Sequence, residues 1–334
     1  MSTPSMLAMA IDVATRRLVP LQRPRPRPGP REVLVRVRAC GVCRTDLHII
    51  DGELPRREPA AVPGHEVVGE VVALGEGARL FAAGQRVGIG WLGRSCGVCP
   101  FCATARENLC DAPLFTGYDR DGGYAAYCAA DERFCFALPD GVDDLHAAPL
   151  LCAGLIGFRS WRLAGGRRPK RLGLWGFGAA AHIVCQLAVA QGQQVYAFTR
   201  PGDAAAQAFA RALGASWAGA STEAPAGALD ASVIFAPEGA LVPAALAATR
   251  KGGVVVCGGI HMSAIPAFDY RLLWGERELR SVANLTRADG EAFFQLLREV
   301  PVHSQVQPFA LPDANAALQA LREGRLQGAA VLVP

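Results

Sequence analysis

Four cysteines within one short run constrain this chain more than any other feature. Cys96, Cys99, Cys102 and Cys110 lie in C-G-V-C-P-F-C-A-T-A-R-E-N-L-C, at intervals of two, two and seven residues. Thiolates are soft ligands, and four of them close the tetrahedral shell of Zn²⁺ with no position left for a substrate. The run is expected to form a structural zinc lobe over residues 93–113 that holds a loop together. Two disulfides or four unrelated buried thiols are the alternatives. Disulfides belong mainly to secreted domains, and Met1–Ala10 has no basic start or apolar block that reads as an export signal. Any chemistry must lie elsewhere in the chain.

Length and charge narrow the classes. A chain of 334 residues accommodates two domains, each with its own core. Eleven cysteines without an export signal point to a reducing compartment and to metal use, so a cytoplasmic location is expected. No apolar run approaches the roughly 20 residues of a membrane helix. A formal charge of +4 is too small to argue for nucleic acid. The alternation Arg23-Pro24-Arg25-Pro26-Arg27-Pro28 is expected to be a solvated, polyproline-like connector. Neither nucleic acid nor a membrane is expected as a partner.

The first part of the chain is β-rich. R-E-V-L-V-R-V-R at Arg31–Arg38 alternates charged and aliphatic residues and reads as a half-buried strand. Further strands are expected at Val67–Leu74 and Arg86–Gly90, with Gly75-Glu76-Gly77 and Ala83-Gly84 as turns. Past Pro149 the character changes to α/β. Strands at Arg171–Trp175, Gln194–Thr199, Ser232–Ala236, Gly253–Gly258 and Leu279–Leu285 alternate with helices at Ala179–Gln191, Ala204–Leu213 and Ala240–Arg250. That order implies a parallel sheet with right-handed crossovers. Val302–Pro334 holds a short helix and a terminal strand, Ala329–Val333, expected to return to the first domain.

Within the α/β half, the first strand runs into Gly176-Phe177-Gly178-Ala179-Ala180-Ala181, a G-x-G-x-x-A loop opening a helix. Gly176 permits the tight turn, Gly178 lets a pyrophosphate approach the helix N-terminus, and small Ala181 lets helix and strand pack closely. The strand after it, Q-V-Y-A-F-T-R, ends in Thr199 and Arg200, where an acid would pair with an adenosine ribose. A hydroxyl with a guanidinium suits a 2′-phosphate, so NADP(H) is favoured over NAD(H). The alternative is that Arg200 faces solvent and NAD binds without the acid.

Three more potential ligands stand far apart: Cys43 in G-V-C-R-T-D-L-H, His65 in P-G-H-E-V-V-G and Cys152 in L-L-C-A-G. With Gly69, Gly75 and Ala78 following G-H-E, and with the Cys96–Cys110 run, the chain resembles the zinc-dependent alcohol dehydrogenases of the medium-chain dehydrogenase/reductase family over nearly its whole length. The resemblance implies a GroES-like catalytic domain (1–148 and 287–334) and a doubly wound, parallel-sheet Rossmann cofactor domain (149–286). It implies two zinc ions per chain, one structural and one catalytic, the latter held by Cys43, His65 and Cys152 with a fourth position open. Each of these could instead be a plain buried thiol or a satisfied core histidine. By the same resemblance Asp46 accepts the other ring N–H of His65, and Glu66 approaches the metal transiently or pairs with a nearby arginine. Thr45 and His48 would relay the alcohol proton, although His48 also reads as a surface histidine. Arg44 would lie near the cofactor pyrophosphate, or else be solvated. Trp91 and Leu54, with Thr45, would line the substrate pocket, Trp91 narrowing it and Leu54 lengthening it. The alternative for Trp91 is a plain core aromatic. Gly157 stands where the family commonly has a small polar residue near the nicotinamide, and Gln85-Arg86 replaces the usual Asp-Arg. The implied activity is hydride transfer between a primary alcohol, or its aldehyde, and a nicotinamide cofactor, in a homodimer or homotetramer. A silent zinc- and nucleotide-binding relative is the rival reading. A zinc-free quinone reductase of the same fold would lack the cysteine ligands.

Overall fold

A computed structural model describes residues 4–54, 62–223, 227–326 and 328–334. Residues 1–3, the start of the segment examined for an export signal, lie outside the described residues. The chain divides into two compact units, Met1–Cys152 with Thr286–Pro334, and Ala153–Leu285. Residues 149–152, with Cys152 among them, therefore fall in the first unit rather than in the second.

The first unit begins with a hairpin of β1 (Ser5–Asp12) and β2 (Arg17–Pro24). Arg23 and Pro24 pair with Met6 and Ser5 in it. The Arg-Pro run is thus no free connector: the Arg23 guanidinium bonds Asp121 at 2.8 Å, and that of Arg25 stacks 4.0 Å over the Tyr127 ring. Next come β3 (Glu32–Val42), α1 (Arg44–Ile50), β4 (Glu66–Leu74) and β5 (Arg86–Ile89). The cysteine run follows, bounded by β6 (Leu92–Arg94) and β7 (Leu114–Phe115) with the one-turn α2 (Pro100–Ala103) between. Then come β8 (Tyr127–Asp131), β9 (Cys135–Ala137) and α3 (Asp144–Ala147).

In the second unit, α4 (Ala153–Leu163), β10 (Arg171–Trp175), α5 (Ala179–Ala190), β11 (Gln194–Thr199), α6 (Ala204–Ala212), β12 (Trp217–Ala220), β13 (Leu229–Ile234), α7 (Leu241–Ala248), β14 (Thr249–Cys257) and β15 (Glu278–Ser281) follow one another. The chain then returns to the first unit with α8 (Arg287–Leu296), β16 (Val306–Ala310), α9 (Ala314–Arg322) and β17 (Ala329–Val333).

Among the described residues the first unit carries a seven-stranded sheet in the order β16-β17-β3-β4-β5-β9, with β8 also on β3. β3 has partners on both edges, so Leu34 is buried along with Val33 and Val35, while Arg36 stays partly exposed and Arg38 exposed, as a half-buried strand requires. Its arginines survive by pairing: Arg36 and Arg38 both reach Glu70 on β4 at 2.8 Å. The terminal strand β17 lies antiparallel on β3 at Cys40–Val42, directly before the first candidate ligand.

The sheet of the second unit is parallel throughout, in the order β12-β11-β10-β13-β14-β15. Chain direction across it reverses between β10 and β13, and the glycine loop leaves β10 at that switch point, where open α/β sheets place their ligands. Trp175 stacks on Phe198 with centroids 3.9 Å apart and closes this core. Gly157, buried in α4, faces α5: a Cβ there would lie 2.7 Å from Val184 Cγ2 and 3.3 Å from the Ala180 carbonyl. Gly157→Ala is therefore expected to lower stability by about 1–2 kcal/mol, overpacking outweighing the helix preference of alanine. A urea midpoint at or above that of the wild type would contradict this packing.

Candidate metal centres and active site

β3 ends at Val42, and Cys43 becomes the N-cap of α1 in extended geometry, φ −126° and ψ 172°. Its thiol accepts the Thr45 N–H at 3.3 Å, while Asp46 returns a carboxylate oxygen to the Cys43 N–H at 2.9 Å. This capping box fixes the thiol before any metal is considered. His65 is delivered by Gly64, whose φ of +97° only glycine adopts without strain, and β4 starts immediately after it. Cys152 ends a 3₁₀ turn at Ala148–Leu151.

These separate segments converge. One ligand atom each of Cys43, His65, Glu66 and Cys152 lies within 4.8 Å of all the others. Cys43 Sγ is 3.3 Å from His65 Nε2 and 3.9 Å from Cys152 Sγ. Two thiolates about 2.3 Å from a tetrahedral zinc stand roughly 3.8 Å apart, whereas a disulfide needs about 2.05 Å. The donor set and its spacing fit Zn²⁺. His65 presents Nε2 to the cluster, and its Nδ1 faces Asp46 Oδ1 at 3.4 Å, both residues being fully buried. Glu66 is buried with Oε2 lacking a hydrogen-bond partner, and among the described residues no arginine pairs with it.

The candidate ligands act on one another electrostatically. A hydrogen bond from Cys152 and the adjacent imidazole hold Cys43 well below the usual thiol range. That same hydrogen bond, with burial, pushes Cys152 well up. Burial disfavours a charged His65, but the Cys43 thiolate and the Asp46 carboxylate outweigh it and raise its pKa well above the usual value. Burial raises Glu66.

Cys96, Cys99, Cys102 and Cys110 form the second cluster, again with sulfurs within 4.8 Å of one another and Cys96 Sγ 3.9 Å from Cys102 Sγ. All four are free thiols, which excludes the disulfide alternative in this structure. The cluster is far less buried than the first. Glu107 ties the lobe to α8, accepting the Arg287 backbone N–H at 2.8 Å and its guanidinium at 3.1 Å.

Thr45 is buried on α1, three residues before His48, and Arg44 is exposed there. His48 Nδ1 makes a short contact with the Glu53 carboxylate. Trp91 sets its indole edge-on to the His65 ring with centroids 5.0 Å apart, and stacks on Phe115 and Tyr118. It thus lies against a ligand and is partly exposed. Leu54 is half-buried against the same core. Glu53, Phe115 and Tyr118 were not singled out from sequence. A carboxylate five residues after His48, just past the end of α1, was a signal for the first of these.

In the second unit, Gly176 has φ +88°, and a Cβ on it would meet Ala236 at 2.7 Å. A Cβ on Gly178, the N-cap of α5, would meet nothing within 4 Å. The mouth of the loop is open at the helix start, as a pyrophosphate requires. Phe177 is half-buried edge-on to Phe209, Ala179 is exposed at the first turn, and Ala181 is fully buried. Thr199 and Arg200 part company. Thr199 is buried, its hydroxyl donating to carbonyls of Gly219 and Arg200 and accepting from Gln207 at 3.1 Å, so it is not available to a ribose phosphate. Arg200 is exposed and forms no salt bridge among the described residues.

Comparison with known proteins agrees with this arrangement. Residues 29–140 match the alcohol dehydrogenase GroES-like domain. A probable alcohol dehydrogenase, AdhA, of Mycobacterium tuberculosis is 45% identical over 92% of this chain and 90% of its own. Among solved structures, an acetophenone reductase from Geotrichum candidum in complex with NAD superposes with a TM-score of 0.87 at 27% identity, covering 100% of this chain and 99% of that one. A putative zinc-binding dehydrogenase from Sinorhizobium meliloti bound to NADP gives 0.87 at 25% identity, covering 99% and 100%. The chain belongs to the alcohol dehydrogenases of the medium-chain dehydrogenase/reductase family.

Within the lobe, backbone N–H groups of Asp111 and Cys102 lower Cys99 to about 6, while burial raises Cys110 to about 11.

Proposed function

We propose that Cys43, His65 and Cys152 hold the catalytic zinc of this alcohol dehydrogenase, and that Cys96, Cys99, Cys102 and Cys110 hold a structural one. The observation that carries the reading is the convergence of the first cluster's donors within 4.8 Å from segments far apart in sequence. The enzyme moves a hydride between an alcohol, or the corresponding carbonyl compound, and a nicotinamide cofactor. Bound zinc supplies Lewis acidity at an open coordination position, and the nicotinamide supplies the hydride acceptor or donor.

The chain's own groups do the rest. Asp46 accepts from His65 Nδ1, which keeps Nε2 as the ligand atom. Thr45, one residue past a ligand's neighbour on α1, takes the substrate proton, and His48 passes it outward, with Glu53 orienting the imidazole. Trp91 narrows the space beside His65 toward primary alcohols, while Leu54 in place of a bulkier residue lengthens it. Glu66, buried within the same cluster as Cys43, His65 and Cys152, is a candidate for transient approach to the metal. Gly176, Phe177, Gly178, Ala179 and Ala181 build the pyrophosphate loop, and Arg44 adds positive charge to that cofactor's binding. The role proposed for Thr199 at the ribose passes to Arg200 alone, and NADP(H) remains the favoured cofactor.

A homodimer or homotetramer is the proposed assembly. β15, at the end of its sheet, is exposed along its length and has Tyr270 and Trp274 exposed before it.

Two experiments test this reading. Purified protein should contain two zinc ions per chain. Cys43→Ser should abolish turnover and retain one zinc and a native Tm, whereas Cys99→Ser should lower Tm by several degrees. Equal loss of folding in both variants would end the division of roles. Separately, Arg200→Glu should lower kcat/KM with NADP⁺ at least tenfold relative to NAD⁺ across a panel of primary alcohols, about 1.4 kcal/mol. An unchanged ratio would remove Arg200 from the cofactor site.

A further inference from the structure

Behind the glycine loop stands a buried histidine. His182 lies on α5, four residues after the N-cap Gly178, and is 2% exposed. The Gly178 carbonyl accepts from it twice, from the backbone N–H at 3.0 Å and from ring Nδ1–H at 3.3 Å. The ring also packs on Phe209 of α6, with centroids 5.9 Å apart, and Phe209 meets Phe177 of the loop edge-on at 6.0 Å. One imidazole therefore supports the loop through a hydrogen bond and through an aromatic neighbour.

Its protonation follows from what surrounds it. Burial lowers its pKa, against the pull of the Gly178 and Ala179 carbonyls, so the ring is neutral at pH 7 and carries one proton. A carbonyl can only accept, which places that proton on Nδ1. Nε2 is then a bare lone pair, and it is buried with no hydrogen-bond partner among the described residues. The opposite tautomer would bury an N–H without an acceptor and set a lone pair against the Gly178 carbonyl.

Gly178 needs such a support. Without a Cβ its backbone is freer than that of any other residue, and its φ of −114° and ψ of −152° lie outside the helix. The planar peptide that follows carries the Gly178 carbonyl on one side and the Ala179 N–H on the other. Fixing the carbonyl toward α5 turns that N–H out of the helix start, where it has no intrahelical partner. The mouth there is open, since nothing lies within 4 Å of a Cβ placed on Gly178.

We propose that His182 is a positioning residue for the cofactor's pyrophosphate: its Nδ1–H locks the Gly178 peptide, so that the first N–H groups of α5 are preset toward the anion. The role rests on the glycine-loop reading above. It concerns the part common to both nicotinamide cofactors, so His182, unlike Arg200, sets affinity and not the choice between them. A core histidine would need only its ring, whereas this one needs a single ring N–H.

Two substitutions separate donor from ring. Asn puts an amide nitrogen at the δ position and lacks the ring, while Phe keeps a ring and lacks the donor. In fluorescence titration His182→Phe should bind NADPH and NADH each about fivefold more weakly, the worth of one ordinary hydrogen bond. Its kcat/KM for the cofactor should drop by the same factor without a fall in kcat. His182→Asn should keep wild-type affinity for both cofactors, even where loss of the ring against Phe209 lowers the urea midpoint. In cofactor-free enzyme the ring ¹⁵N shifts of His182 should report a protonated Nδ1 and a bare Nε2. Wild-type affinity in His182→Phe, equal weakening in His182→Asn, a changed NADPH-to-NADH ratio, or the opposite tautomer would each overturn the role. Gly178→Val fills the open mouth and tests the loop itself: wild-type cofactor affinity there removes the glycine-loop reading together with this role. Binding lost in Gly178→Val but unmoved in His182→Phe removes this role alone.

Discussion

One buried carboxylate, Asp46, joins the helix that carries Cys43 to the loop that carries His65. It accepts the Cys43 N–H at 2.9 Å and faces His65 Nδ1 at 3.4 Å, with no exposure to solvent. A carboxylate in that position costs several kcal/mol unless donors surround it. The cost is offset by the N-terminal N–H groups of α1 and by the imidazole. Because the same side chain closes the capping box and orients the histidine, a helix of seven residues suffices to set two members of the cluster. Cysteine at an N-cap is uncommon among preferred capping residues. Here its sulfur takes the Thr45 N–H, so the backbone orients the thiol that faces His65 and Cys152.

The two cysteine clusters obey different physics. The first is assembled from β3, the start of β4 and a 3₁₀ turn, all embedded in the large core of its unit. Its donors are set by core packing and by the α1 capping box. The lobe is local in sequence, has a single turn of helix, and leaves Val98 85% exposed. Beyond the Glu107–Arg287 pair it has little apolar packing of its own, so its order depends on what its four sulfurs hold. That contrast makes one set of residues suited to chemistry and the other to architecture.

What the sequence disclosed follows the range of each signal. Arg171–Trp175, Gln194–Thr199 and Ala329–Val333 occur at the expected bounds because strand character is local and bounded by clear turn residues. The β1–β2 hairpin was hidden by prolines, which are tolerated because Pro24 closes an edge strand. Cys152 could be joined to Cys43 only through a family resemblance, since 108 residues of chain between them carry no spacing rule. The contact of Glu53 with His48 was illegible for the same reason: it depends on how a turn folds back. Gly157 shows the converse. A missing polar side chain suggested a change at the cofactor, whereas the helix packing against Val184 accounts for the glycine.

Thr199 carries the last step. At the end of β11 its position matches the ribose-recognition point, yet a strand alternates its faces, and this hydroxyl points into the protein toward Gly219 and Gln207. On the proposed reading, discrimination between a ribose hydroxyl and a ribose phosphate then falls on Arg200. An exposed guanidinium can make paired, charge-assisted hydrogen bonds to a phosphate, but solvent and salt weaken them. Equally, no acid stands there to bond a 2′-hydroxyl or repel a phosphate. On the proposed reading such a site would favour the phosphorylated cofactor without excluding the other, because its attraction is single and screened and its repulsion is absent.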